Sequence, residues 1–478
     1  MNESSAEKDI PVLAIVGHPN KGKSSIVSTL AQDDSVNISP MSGTTRTNRV
    51  YPIQVDGTTL CRLVDTPGFQ RPRAAMDWLL RHSRSAADHE QTVIDFVDKH
   101  RDDPRFAAEC DLLAPILAGA GILYVIDGAV PYGPEYDAEM EILRWTGGPS
   151  MALINRIGPG DFVADWRTPL SQYFRIVREF NALSEPFERQ VQLLTGFSEL
   201  RESWRDTLQQ AADSLVTRRR QQIQQASSRI ADLMEAMLSA SETLPLKGRD
   251  DQQGIDRGIN RLESTLAGME QDARRAVERI FNHADIDRDE SALPGVSGDL
   301  FSEQTWQLFS LSRDQVLAMG AVGGAATGAL LDAGTGGLSL FLGTGVGAVL
   351  GAAGAWLGTR QLIGTRILGM PLGGYQVIVG PVKNISFPWV ILGRAVTHLR
   401  LVCERSHALR QQLKVEHADG KNPLNDLDAE HRRKMQAVFN RLTKGRSLSG
   451  TERSMLETTI ADLLEVSATQ SGESSERQ

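Results

Sequence analysis

The sequence has few cysteines, no excess of basic residues and no apolar leader at its start. Its three cysteines are odd in number and far apart, which argues against a disulfide framework or a zinc site and is typical of a reducing compartment. Acidic residues outnumber basic ones by 60 to 51, giving a net charge of −9. This balance argues against nucleic acid as a partner, because phosphate backbones require excess Lys and Arg. Residues 1–10 are polar, so we expect a disordered N-terminus, no signal peptide and a cytoplasmic location.

The remaining composition is that of a folded, multidomain protein. The chain has 478 residues, of which 41% are hydrophobic and 23% charged, so two or three domains are expected. Between residues 11 and 198, short apolar runs alternate with polar helical stretches. This pattern predicts an α/β domain with a mostly parallel sheet and flanking helices. Its predicted strands are 12–17, 60–65, 121–127 and 150–155, and a helical insert is predicted at about 70–117.

The second half of the chain predicts mainly helices. Residues 199–295 are charged, rich in Gln and without strand patterns, which predicts a helical middle region. Residues 296–465 are predicted to form a C-terminal domain, and residues 466–478 a disordered tail. The elements predicted in the C-terminal domain are a strand at 375–382, a helix at 387–413 and two helices within 424–465.

Residues 17–24, Gly-His-Pro-Asn-Lys-Gly-Lys-Ser, match the pattern G-x-x-x-x-G-K-S between a predicted strand and a predicted helix. Such glycines let backbone N–H groups converge on phosphates at a helix N-terminus. Lys23 is expected to reach the β- and γ-phosphates and act in catalysis, and the Ser24 hydroxyl to bind Mg²⁺. The predicted nucleotide contacts are Asn20, Lys21, Gly22, Lys23, Ser24 and Ser25. The Lys21 side chain itself is interpreted as a solvated lysine of this loop.

Two later segments carry residues suited to sensing the γ-phosphate. In "LVDTPGF" (63–69), Asp65 ends an apolar strand and can hold Mg²⁺ through water, while the N–H of Gly68 can reach the γ-phosphate. In "SPMSGTTRT" (39–47), Thr45 is the predicted Mg²⁺ ligand and catalytic residue of a switch loop, with Thr44 as the next choice.

The series G-x-P-N-x-G-K-S, G-T-T-R and D-T-P-G resembles the Era/TrmE branch of GTPases over roughly residues 11–185. The resemblance implies binding of GTP and GDP with Mg²⁺, and GTP hydrolysis. Phe69 stands where Ras-like proteins carry a water-orienting glutamine, so a low rate of hydrolysis is expected. Some members of this branch use K⁺ instead, and Asn20 matches the asparagine that holds it. Ser39, Met41 and Thr44 align with the loop that completes that K⁺ site, although Asn20 could equally only brace its own loop.

The base-reading motif of this branch, N-K-x-D, is incomplete. The chain has Asn155, Arg156, Ile157 and then Gly158 where the guanine-selective aspartate is expected. Asn155 and the stem of Arg156 can still contact a base, and Asp161 lies three residues later. The S-A-K motif is also absent, and its best match is Asn181 or Ala182. We therefore expect guanine nucleotides with weakened discrimination. A domain that binds nucleotide and hardly hydrolyses it is the alternative.

Residues 316–358 form a Gly-rich apolar segment with a single charge, Asp332. Glycines spaced by four, at 320–328 and 343–351, would make two smooth helical stripes joined by a turn at 332–337. Three interpretations stay open: a buried hairpin, a hairpin that enters a membrane, and a homo-oligomer surface. A GTPase followed by this segment resembles a family of bacterial GTPases with an uncharacterised C-terminal domain.

These features together predict a Mg²⁺-dependent GTPase switch coupled through its C-terminal region to a membrane or membrane protein. The expected location is the cytoplasm, with peripheral or inserted contact at the inner face of the cell membrane. Two rival hypotheses are a ribosome-assembly GTPase and a scaffold that binds nucleotide without hydrolysing it.

Overall fold

The computed structural model forms two compact units. The first contains residues 1–221, 282–284 and 404–410, and the second contains residues 222–281, 285–403 and 411–478. The structure describes residues 10–32, 47–55, 58–248, 250–283, 300–301, 305, 308–310, 360–362, 366–367, 370–371, 375–407 and 422–475. Residues 39–46 of the predicted switch loop (39–47) and the Gly-rich segment at 316–358 lie outside these residues.

The first unit is built on a six-stranded sheet in the order β2-β3-β1-β4-β5-β6. Only β2 runs antiparallel to its neighbour in this sheet; the other pairs are parallel. The strands are β1 (Val12–Val16), β2 (Arg49–Val55), β3 (Thr58–Asp65), β4 (Gly121–Asp127), β5 (Ser150–Asn155) and β6 (Ile176–Phe180). The predicted α/β class, the four predicted strands and the mostly parallel sheet are confirmed.

Helices cover both faces of this sheet because alternate residues of each buried strand point to opposite sides. Ala14, Ile122 and Ile154 pack on one face, and Leu13 and Leu123 on the other. The helices are α1 (Lys23–Ala31), α2 (Pro72–His82), α3 (His89–His100), α4 (Ala107–Leu117), α5 (Asp137–Trp145), α6 (Val163–Tyr173), α7 (Phe187–Phe197) and α8 (Arg205–Ser239), which continues into the second unit. Helices α2 to α4 are the predicted helical insert.

The second unit combines long helices with a small antiparallel sheet of order β7-β11-β8. Strand β7 lies within 199–295, so the prediction of a strand-free middle region is wrong. Its other strands, β9 and β10, pair with each other. The elements are β7 (Glu242–Leu246), α9 (Gln252–Ile280), β8 (Arg360–Leu362), β9 (Arg366–Ile367), β10 (Met370–Pro371), β11 (Tyr375–Val379), α10 (Phe387–Glu404), α11 (Ala429–Leu442) and α12 (Gly450–Ser475).

Other boundaries also differ from prediction. The first unit extends to Gln221 instead of residue 198. Helix α10 ends at Glu404, short of the predicted residue 413. Helix α12 continues to Ser475, where a disordered tail was expected from residue 466. Within the described residues, no helix is long and apolar enough to span a bilayer.

A buried arginine joins α9 to α10 in the second unit. Arg394 is 2% exposed; its Nε and Nη2 donate to the two carboxylate oxygens of Glu270 at 2.7 and 3.2 Å, and its Nη1 donates to Thr305 at 2.9 Å. Arg274 adds a bond to Glu270 at 2.6 Å. Burial alone would raise the pKa of Glu270, but Arg274 and Arg394 hold that pKa below its ordinary value. The carboxylate therefore stays charged inside the helical core.

We predict that Arg394→Met lowers the free energy of unfolding by about 3 kcal/mol, because it leaves Glu270 buried with less compensation. Urea denaturation of the full chain measures the loss. Arg453→Met is the matched control: Arg453 pairs with Asp232, Glu235 and Glu457 but is 34% exposed, so its loss should be about 1 kcal/mol or less. Equal losses in the two variants would contradict this account.

Candidate nucleotide-binding site

The turn between β1 and α1 has the backbone of a phosphate-binding loop. Gly17, Asn20 and Gly22 all have positive φ, at 138°, 62° and 79°. Gly22 caps the N-terminus of α1 in the left-handed conformation, and a Cβ there would lie 2.3 Å from Nδ2 of Asn155. Glycine is therefore required at 22 both for its backbone conformation and for this close approach.

Lys23 begins helix α1 and is 7% exposed. Its amine donates to the carbonyls of Gly17 at 3.3 Å and His18 at 2.9 Å, across the loop it follows. Burial lowers the pKa of Lys23 to about 8, against the opposing effect of the Asp65 charge. A buried cation held by two carbonyls of the loop is well placed to meet phosphate oxygens.

Ser24 and Asp65 meet beside this lysine. The Ser24 hydroxyl donates to Oδ2 of Asp65 at 2.7 Å, which joins the first turn of α1 to the end of β3. Hydroxyl and carboxylate oxygens are the ligands that Mg²⁺ takes in proteins, so this donor pair fits the metal. No group of three or more His, Cys, Asp or Glu suited to a metal occurs in the described part of the chain.

Gly68 lies against the phosphate loop. A Cβ at this position would lie 2.5 Å from the backbone nitrogen of Pro19 and 2.9 Å from the amine of Lys23. The next residue, Phe69, is fully buried, and its N–H donates to the carbonyl of Gly17 at 3.2 Å. The segment after Asp65 is thus packed directly on the loop, and the structure brings Lys23, Ser24, Asp65 and Gly68 together.

The base-reading residues form a second set of contacts. Asn155, 2% exposed, donates from Nδ2 to the carbonyl of Lys21 at 3.2 Å and accepts from the N–H of Ala182 at 3.2 Å. Arg156 is paired with Asp161 at 3.3 Å, and both side chains are largely exposed. Asn155 therefore joins the phosphate loop to the loop that follows β6, while Asp161 faces the arginine.

The remaining predicted residues have different surroundings. Lys21 is not a solvated lysine: its side chain is 12% exposed, 3.9 Å from Asp127, and lies over the ring of Tyr136. Asn20 is exposed and Ser25 is half-buried in the first turn of α1. Thr45, Thr44, Ser39 and Met41 lie outside the described residues.

Two buried carboxyl groups, one beside the phosphate loop and one beside the segment after Phe69, were not predicted. Glu139 on α5 bonds to Nδ1 of His18 at 2.8 Å and accepts from the hydroxyl of Tyr124 at 3.0 Å. Burial raises its pKa, against the effect of these two partners. Glu109 on α4 accepts the N–H groups of Gln70 and Arg71 at 2.7 and 2.5 Å. A carboxylate on the apolar face of a helix was the available signal for both.

Two family models match this chain. The model described as "50S ribosome-binding GTPase" matches residues 12–117. The model described as "Domain of unknown function (DUF3482)" matches residues 167–464.

Curated relatives match the N-terminal part. A GTPase Der of Agathobacter rectalis is 38% identical over 96 residues, covering 19% of this chain and 22% of that protein. A tRNA modification GTPase MnmE of Parabacteroides distasonis is 34% identical over 119 residues, covering 25% of each. A GTPase Era of Ureaplasma parvum is 37% identical over 90 residues, covering 19% of this chain and 30% of that protein. This chain thus spans less than a third of the length of these relatives.

The matched residues include the phosphate loop, Asp65 and Gly68 described above. The second family model covers more than half of the chain. This protein therefore belongs to the DUF3482 family, and it carries an Era/Der/MnmE-like P-loop GTPase domain ahead of that family's domain of unknown function.

Proposed function

We propose that this protein binds GTP and GDP with Mg²⁺, hydrolyses GTP slowly and acts as a nucleotide-dependent switch. The observation that carries the proposal is the convergence of Lys23, Ser24, Asp65 and Gly68 on one loop. Lys23 would exchange its loop carbonyls for phosphate oxygens, and the N–H of Gly68 would meet the γ-phosphate. The names of the curated relatives, all GTPases, support the same reading.

Mg²⁺ would be held by Ser24 directly and by Asp65 through water, and it would neutralise charge on the phosphates. Thr45 is proposed to complete this site when the γ-phosphate is present. Loss of that contact after hydrolysis would be the switching event.

The low rate follows from Phe69. A buried phenyl ring cannot hydrogen-bond a water molecule, and the backbone N–H of Phe69 already donates to Gly17. We propose that K⁺ held at Asn20 supplies part of the missing positive charge, as in some Era/TrmE relatives. The exposure and left-handed backbone of Asn20 are compatible with that role.

We propose a cytoplasmic protein whose C-terminal region couples the nucleotide state to a membrane or membrane-protein partner. The support is the apolar sequence of residues 316–358. Recovery only in the soluble fraction after carbonate extraction of native membranes would contradict insertion.

The second candidate function is ribosome assembly, favoured by the description of the matching family model; co-sedimentation with ribosomal subunits at physiological salt would support it.

We predict that Lys23→Ala lowers GTP hydrolysis about 100-fold or more, because the variant loses the cation that meets the phosphates. Phosphate release is measured in K⁺ and in Na⁺ buffers, and the wild type should be faster in K⁺. Lys99→Ala, an exposed lysine of α3, is the control and should match the wild type. Hydrolysis by Lys23→Ala at the wild-type rate would overturn the proposed enzyme, and equal rates in the two salts would remove K⁺ from the proposal.

A proton linkage at Lys23 is the second prediction. With a pKa of about 8, about half of the empty sites carry a neutral lysine at pH 8. Phosphate charge beside the amine favours the ammonium form, so binding of GDP with Mg²⁺ should take up about half a proton at pH 8, where the terminal phosphate of GDP (second pKa about 6) is already ionised. Titration calorimetry in two buffers of different ionisation enthalpy measures the uptake. Identical heats in both buffers at pH 8 would contradict the lowered pKa.

The incomplete base motif gives a third prediction. A Cβ at Gly158 would lie 3.2 Å from the Cβ of Ala129, so a side chain fits after a small shift. Gly158→Asp should restore a carboxylate for the guanine N–H groups and increase the preference for GTP over ATP about tenfold or more. Calorimetry with both nucleotides measures the ratio, and Gly158→Asn is the matched uncharged control. An unchanged ratio would show that position 158 does not face the base.

A further inference from the structure

A short segment from late in the chain belongs to the first unit. Residues 404–410 belong to that unit, and Glu404 to His407 are described. They fall within the residues matched by the DUF3482 model, more than 370 positions after helix α1 in the chain. This return segment, residues 404–407, contacts two elements of the nucleotide site.

The first contact is with helix α1. The Ser28 hydroxyl donates to the carbonyl of His407 at 2.8 Å, and the Thr29 and Ser406 hydroxyl oxygens are 3.1 Å apart. Ser28, Thr29 and Ser406 are 0%, 1% and 4% exposed. Helix α1 begins at Lys23, so these contacts are made on the helix whose first turn carries the phosphate site.

The second contact is with the loop that follows β6. The carbonyl of Ala182 accepts hydrogen bonds from Ser406 at 2.5 Å and from Thr29 at 2.8 Å. The N–H of the same residue donates to Oδ1 of Asn155, and Nδ2 of Asn155 donates to the carbonyl of Lys21 in the phosphate loop. A continuous series of hydrogen bonds therefore runs from Ser406 through Ala182 and Asn155 to Lys21.

We propose that Ser406 is a positioning residue of the nucleotide site. It fixes the loop that follows β6, called the base-side loop here, at Ala182 and so sets how long the nucleotide stays bound. The inference rests on the proposed nucleotide binding and adds the part of the chain that controls it. Asn155 and Ala182 belong to the incomplete base-reading motifs, where the guanine-selective aspartate is replaced by Gly158. The hydrogen bonds that the return segment makes to this loop therefore matter more here than they would beside a complete base-reading motif.

The coupling between the return segment and the bound nucleotide is reciprocal. If the return segment stabilises the nucleotide-bound arrangement, then bound nucleotide stabilises the return segment by the same amount. A partner of the C-terminal region that displaces Ser406 would accelerate nucleotide release, and nucleotide would oppose that partner.

The test is the dissociation rate of a fluorescent GDP analogue from the full-length protein. Ser406→Ala should release it about three- to tenfold faster, the effect of losing one hydrogen bond to a buried group. Thr29→Val removes the other donor at nearly constant volume and should act in the same direction, whereas Thr29→Ser keeps the hydroxyl and should stay close to the wild type. If Ser406→Ala fails to fold, the comparison of Thr29→Val with Thr29→Ser tests the proposal.

Competition with inorganic tripolyphosphate separates positioning from general destabilisation. GDP affinity should fall in Ser406→Ala by the same factor as the release rate rises, while tripolyphosphate affinity changes less than twofold because it makes no base contacts. Thr459→Ala removes a similarly buried hydroxyl from α12 and should leave both affinities unchanged.

Wild-type release by both Ser406→Ala and Thr29→Val, or an equal loss of affinity for GDP and tripolyphosphate, would overturn the inference. A wild-type protein that binds no guanine nucleotide would instead overturn the proposed function itself.

Discussion

The side-chain amide of Asn155 is the interaction on which the rest of the nucleotide site depends. It holds the phosphate loop at Lys21 and the base-side loop at Ala182, and a Cβ at position 22 would lie 2.3 Å from its Nδ2 and displace it. Because Asn155 ends the buried strand β5, the position of both loops is fixed by the rigid sheet. The absence of a side chain at 158 leaves these contacts of Asn155 in place, and under the proposed function it removes only a group that would select the base.

Buried carboxylates connect this site to the helical insert. Glu109 on α4 holds the backbone immediately after Phe69, and the carbonyl of Asp111 on the same helix accepts from Asn48 at 2.6 Å, where β2 is about to begin. Glu139 on α5 holds His18 inside the phosphate loop. A buried polar group is costly unless hydrogen-bonded, so each of these carboxyl groups ties its helix to the loop segment that it bonds. A change in the segment after Asp65 would act on α4 through Glu109.

How far the sequence predicts this structure depends on how local each signal is. The phosphate loop, Asp65 and Gly68 follow from short motifs, and the central strands follow from continuous apolar runs. Strand β6 was missed because it is a polar edge strand, and β2 because it contains Pro52, which an edge strand tolerates. Ser406 could not be predicted, since it meets Ala182 from 224 positions away and only the tertiary fold brings the two together.

The contrast between the two ends of the site bears on what the protein selects. The phosphate end keeps the groups that the chemistry needs: a buried lysine, a hydroxyl–carboxylate pair and a glycine packed on the loop. At the base end, Arg156 faces Asp161 in solvent and position 158 has no side chain. Charge-assisted contacts to phosphate are about twice as strong as neutral hydrogen bonds, so nucleotide affinity would be determined mainly at the phosphate end. Discrimination between bases would then rest on the base-side loop, which is held at Ala182 by Asn155 and by the buried hydroxyls of Thr29 and Ser406.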